Sequence, residues 1–186
     1  QFVLTTILLV AGSGLWAQKL SDYPHADRIM ARMPDSLPCY SAGIAGYVNS
    51  HLRDQEEKAW AIFSWIAANI RYELDSISSN NYYQKPSEVS DRILRSRTGV
   101  CLQFAYLFSD LANKTGIRSY VIQGYTKQHG VVDWLPHVWC AGYVDTAWYL
   151  FDPTWGSGYR ENRGFIKQPN SYYFMRKPGE LAGSHM

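Results

Sequence analysis

Cysteine is scarce in this chain: Cys39, Cys101 and Cys140 among 186 residues, an odd count that leaves one thiol free whatever the pairing. An excess of charge is also missing. Eighteen Lys and Arg stand against 16 Asp and Glu, a formal net charge of +2. No basic run is interleaved with aromatics, so nucleic acid is not a partner class that the composition supports. Repeats and low-complexity tracts are absent. His25, His51, His129 and His185 show no ligand spacing, so no metal and no cofactor is expected. The apolar stretch at the N-terminus is shorter than the roughly 20 residues of a spanning helix. No stable membrane span is therefore expected in the mature chain.

What is present is a globular balance, 46% hydrophobic and 18% charged, with a large aromatic supply of 14 Tyr, 7 Trp and 7 Phe. Such a supply suits a packed core, or a groove that grips extended peptide or sugar. Residues 1–17 read as the remnant of a secretory signal peptide, an apolar stretch followed by small residues and Ala17. Export to a periplasm, a cell surface or the medium follows from that reading. Residues 18–53, with Pro24, Pro34 and Pro38, read as a lead-in with one short helix. Residues 54–175 read as the catalytic domain. Residues 176–186 read as a C-terminal extension: the closing Gly183-Ser184-His185-Met186 resembles an expression scar, and natural sequence that continues into further chain is the favoured reading.

Within 54–175 the apolar period changes once. Asp54 to Ile70 predicts a helix with an acidic first turn and Trp60, Phe63, Ile66 and Ile70 on one face. Residues 76–87 predict a loop. Ser87 to Arg95 predicts a second helix with Val89, Ile93 and Leu94 inward, and a third runs from Cys101 to a stop near Gly116. Strands are then predicted over 118–125, 137–144 and 147–152, the last two joined by a turn at Asp145-Thr146, with residues 128–134 as a loop rim before His137. Helices first and an antiparallel sheet after make the fold class α+β.

Cys101 stands out chemically. It lies at the start of an apolar helix, where unpaired backbone N–H groups and the helix dipole favour negative charge on sulfur. Downstream, His137 in Pro136-His137-Val138-Trp139 and Asp152 in Leu150-Phe151-Asp152-Pro153-Thr154-Trp155 supply a base and an orienting acid. Cys140, three residues past His137, points to the opposite strand face and has no part in that set. A Cys39–Cys140 bridge is left open. Arg95 and Arg97 read as a solvated face, with binding of a substrate carboxylate as the alternative.

Gly99-Val100-Cys101, His137-Val138-Trp139 and Trp148 to Trp155, preceded by Asn69-Ile70-Arg71-Tyr72, resemble the transglutaminase-like superfamily core in its bacterial, exported form. The resemblance spans roughly Lys58 to Trp155. It implies a papain-like core in which the nucleophile helix packs on an antiparallel sheet. It also implies Cys101 as nucleophile, His137 as base and Asp152 as the residue orienting it. Two departures bear on substrate choice: Gln103-Phe104-Ala105 where members have Gly-Tyr-Ala, and Cys140 where they have Asn. Gln103 is thereby expected to narrow the approach to the thiol.

The resemblance leaves three functions. The first is hydrolysis of peptide or amide bonds in a peptide or protein substrate, including peptides of a cell wall. The second is protein-crosslinking transamidation. The third is a noncatalytic binding module in a larger envelope protein. Oxyanion or substrate contacts are expected from Gln84, Tyr72, Gln103, Trp139 and Trp155. An open, wet site favours water as acceptor, and a tunnel lined by Trp134, Trp139 and Trp155 favours an amine.

Overall fold

The computed structural model describes residues 21–73, 86–128, 130–161 and 164–186. The expected signal-peptide remnant and most of the expected 76–87 loop, Gln84 included, lie outside them. Helix α1 spans Pro24–Met30, α2 Ser41–His51 and α3 Gln55–Asn69. α3 starts where the Asp54 carboxylate accepts the Glu57 N–H at 2.9 Å, an N-cap that satisfies one orphan donor of the first turn. Its Ala59, Ile62, Phe63, Trp65 and Ile66 are buried on several sides, so α3 is a central helix rather than a surface one. The expected face holds, except that Trp60 leans outward onto α1. There it stacks on Tyr23 at 5.3 Å and donates to Asp27 at 2.7 Å.

The lead-in is more structured than expected. α2 buries Ile44, Ala45, Val48 and the following Leu52 in the same core as α3. Its two glycines lower intrinsic helix propensity, so the sequence signal was weak and tertiary burial supplies the stability. Helix α4 (Pro86–Ser96) turns Val89, Ile93 and Leu94 inward as predicted. Helix α5 (Cys101–Lys114) buries Phe104, Leu107, Phe108 and Leu111, and stops at Gly116, whose φ of +88° is the left-handed conformation of a helix C-terminus.

Two short strands precede α5. β1 (Arg71–Tyr72) pairs in parallel with β2 (Thr98–Gly99), so the segment leading to Cys101 is laced to the end of α3. The main sheet is antiparallel, with β3 (Arg118–Gln128), β4 (Val131–Val144) and β5 (Ala147–Phe151) in the order β3-β4-β5. Val138, Cys140 and Val144 of β4 join the α5 side of the core. The two-residue turn at Asp145-Thr146 is as expected, with Asp145 at a φ of +51°. The expected loop rim at 128–134 is instead hairpin. Thr126, Lys127 and Gln128 pair with Asp133, Val132 and Val131, and Gly130 at a φ of +79° turns the chain. β-Branched Val131 and Val132 fit an exposed strand as well as a loop, and only the pairing partner distinguishes them.

A second hairpin, β6 (Gly158–Glu161) with β7 (Gly164–Lys167), follows β5 beyond the last expected strand. Phe174 then returns to the core against Trp60, Phe63 and Phe151. Helix α6 (Pro178–Leu181) leads to a tail that pairs with β3: Tyr125 N–H donates to Met186 O at 2.8 Å and Met186 N–H to Tyr125 O at 2.9 Å. The molecule is α+β. All three cysteines are free, with Cys39 exposed and Cys140 buried, so the bridge left open is not made.

Candidate active site

Cys101 is the first residue of α5, at the floor of a cleft of about 920 Å³. Val100 offers no side-chain acceptor to the first turn, and Gln103, three residues on, reaches back to the N-cap residue. Its Oε1 accepts the Val100 N–H at 2.8 Å. Gln103 is buried by this bond and does not line the cleft, so the narrowing expected of it is not its role.

His137 stands on β4 directly opposite Gly124 of β3. Its Nε2–H donates to Asp152 Oδ2 at 2.7 Å, which leaves Nδ1 as the ring nitrogen free of the carboxylate. Cys101 lines the same cleft as this ring and stands close enough to raise the imidazole. Burial, the largest influence on His137, works against its charged form. The Asp152 carboxylate outweighs it, with help from Cys101, and the imidazole is raised from 6.5 to about 10.

Asp152 follows β5 and is fully buried. A buried carboxylate is costly unless its lone pairs are met, and here four N–H groups meet them. Oδ1 accepts from the backbone of Thr154 at 2.9 Å and Trp155 at 3.0 Å, a turn that the Asp-Pro-Thr-Trp sequence folds around its own first side chain. Oδ2 accepts from His137 and, at 3.1 Å, from Nε2 of His185. Burial pushes the carboxyl upward, but the two imidazoles prevail and hold it well below the usual carboxylate range.

Spacing gives His185 no metal-ligand role, and no sequence signal marks its bond to Asp152, which is 33 residues away. The ligand-type atoms of His137, Asp152 and His185 lie within 4.8 Å of one another. Both Nε2 atoms address one carboxylate oxygen at hydrogen-bond distance, the arrangement of two donors sharing an acceptor rather than of three ligands around an ion.

Of the other expected contacts, Tyr72 and Trp155 line the cleft. Tyr72 packs on Phe104 and Phe165, and its phenol is raised by burial and then by negative charge at Cys101, with Arg160 opposing. Trp139 is buried beneath the cleft, stacked with His137 at 6.0 Å, and its indole N–H has no partner among the described residues. Trp134 projects outward, 75% exposed, and is not part of the lining. A tunnel of three tryptophans is thus not formed among the described residues. Arg97 stacks on Trp65 at 4.9 Å and donates to Pro38 O at 3.3 Å, a clip between segments, while Arg95 is exposed; neither lines the cleft.

Residues 42–153, more than half of the chain, match the family model of the transglutaminase-like superfamily. The chain belongs to that superfamily. Members of the superfamily are cysteine peptidases or transglutaminases. Among relatives, kyphoscoliosis peptidase of Mus musculus and of Homo sapiens are each 28% identical over 138 residues, which is 69% of this chain and 20% of theirs. The chain thus spans about a fifth of the length of these relatives. The periplasmic domain of TgpA from Pseudomonas aeruginosa has the same transglutaminase-like fold, with a TM-score of 0.51 at 17% identity over 73% of this chain and 48% of that one.

Proposed function

We propose that this chain is a thiol-dependent acyl-transfer enzyme that hydrolyses peptide or amide bonds. Cys101 is the nucleophile, His137 its base and Asp152 the residue that orients His137. The observation that carries the proposal is the 2.7 Å bond from Nε2 of His137 to Asp152, with His137 and Cys101 lining the same cleft. Sulfur gives its proton to Nδ1 of His137 and attacks the substrate carbonyl carbon, so the C–S bond forms and the carbonyl electron pair moves to oxygen. Collapse of this adduct expels the amine, which takes its proton from Nδ1 of His137. Water gives a proton to Nδ1 and attacks the thioester carbon; the C–S bond breaks, the acid leaves and sulfur takes the proton back from His137. The Cys101 backbone N–H, in the first turn of α5, is one donor for the oxyanion, and the Tyr72 hydroxyl is the second.

Water is favoured over an amine as acceptor because the cleft takes Trp155 alone of the three tryptophans that would have enclosed it. The peptidase named among the relatives points the same way. The substrate is a peptide or protein, and export by the N-terminal apolar stretch would bring cell-wall peptides within reach.

The test is a peptide library incubated with the wild type and with Cys101→Ala, with and without a primary amine, read by mass spectrometry. Hydrolysis products from the wild type alone are expected. Amine adducts as the main product would make the chain a transamidase. No turnover, with Cys101 alkylated by iodoacetamide no faster than exposed Cys39, would leave a noncatalytic binding module.

A further inference from the structure

We propose that His185 is a positioning residue of this site: it holds the Asp152 carboxylate, and through it the ring of His137, from inside the protein. The inference rests on the reading of Cys101, His137 and Asp152 given above. His185 donates to the same oxygen, Oδ2, that orients His137. That oxygen determines where Nε2 of His137 must point, and hence whether Nδ1 faces the sulfur. With Oδ1 held by two backbone N–H groups and Oδ2 by two imidazoles, the carboxylate cannot rotate without breaking bonds on both oxygens.

The ring of His185 is itself fixed. Its side chain is 1% exposed and lies edge-on to Trp139 at 4.9 Å and against Trp155 at 4.8 Å. Asp152 accepts only, so Nε2 carries the proton, and Nδ1 is left to meet the Ser184 hydroxyl at 2.9 Å. The backbone that brings it there is a short added strand. Ser184 O accepts the Lys127 N–H at 2.8 Å, Met186 exchanges two bonds with Tyr125, and His185 N–H donates to Leu181 O at 2.8 Å. A buried histidine satisfied by the nearest acceptor would need none of this sharing. Here the acceptor is the one oxygen on which the His137 geometry depends.

The test uses the whole chain and two variants. His185→Phe keeps the aromatic packing and removes the donor, and His185→Gln keeps an N–H near the position of Nε2. The readouts are the pH profile of Cys101 alkylation by iodoacetamide and the imidazole nitrogen resonances of His137 and His185. The wild type is expected to show His185 as the Nε2–H tautomer. In His185→Phe the acid limb of alkylation should move up by about one pH unit, tenfold in rate on that limb, because Asp152 has lost a donor to its anion. His185→Gln should restore most of it.

An Nδ1–H tautomer in the wild type, a His185→Phe profile superimposable on the wild type, or equal impairment of the two variants would overturn the proposal. Should His185→Phe not fold, the wild-type tautomer and His185→Gln decide. If Cys101 of the wild type reacts no faster than Cys39, the enzymatic reading fails. The His137 resonances in His185→Phe still report whether His185 holds Asp152.

Discussion

Asp152 and His137 have opposite relations to pH, and together they define a window. The carboxyl is held below its ordinary 3.8, so its contribution to stability is present above that value and is lost as pH falls through the lower, folded one. The imidazole is raised from 6.5 to about 10, so its contribution is complete below 6.5 and disappears as pH climbs to about 10. The Tm advantage of the wild type over Asp152→Asn should therefore narrow from pH 6.5 upward and again below 3.8. A difference that stays constant up to pH 10 would mean that the pair is not an ion pair in solution. At Tyr72 the expectation is kinetic. Tyr72→Phe keeps the packing on Phe104 and Phe165 but removes a hydroxyl, and should lower kcat about 10²-fold with little change in KM. Wild-type kcat in that variant would assign the second oxyanion donor elsewhere.

At the scale of elements, the site is assembled where three backbones meet: the start of α5, the middle of β4 and the added strand at the tail. Gly124 lets them meet. A Cβ there would come within 2.3 Å of Met186 O and 2.6 Å of the Trp139 ring, so any side chain at this point of β3 must displace the tail or the ring. Gly124→Ala is expected to destabilise by about 1–3 kcal/mol and to speed amide exchange at Tyr125 and Lys127, whose N–H groups donate to the tail. Protection unchanged at both amides would show that the tail is not seated there. The β6–β7 hairpin plays a different part. Gly158, Tyr159, Arg160 and Phe165 form one wall of the cleft, a wall that carries no residue of the Cys101, His137 and Asp152 set.

Across the whole molecule, one aromatic cluster ties the site to the core. Phe174 touches Tyr23 near α1, Trp60 and Phe63 of α3 and Phe151 of β5, while the carbonyl of its neighbour Tyr173 accepts the Asp152 N–H at 3.0 Å. Phe174→Ala should cost about 3–5 kcal/mol in denaturant unfolding. Turnover should fall with it even where the protein remains folded, since the backbone of Asp152 is anchored one residue away. Full activity in a folded Phe174→Ala would uncouple the cluster from the site.

Local patterning made much of this legible. Helical spacing in α3, α4 and α5, the stop at Gly116, the Asp145-Thr146 turn and the placing of Cys101 at a helix start are all written in residues a few positions apart, because period, caps and turns are short-range. α2 escaped notice because its helix depends on burial more than on propensity. The strand register of 128–134 and the β6–β7 hairpin depend on partners that a local window does not contain. Gln103, Trp139 and Arg97 lie within a few residues of Cys101 or His137 along the chain, yet their side chains go to Val100, to the layer beneath His137 and to Trp65. The amino-acid order alone determined which groups could react and in which elements they stand. Only tertiary folding decided that a histidine near the end of the tail would share the Asp152 oxygen, since a hydrogen bond is specified by position in space and not by separation along the chain.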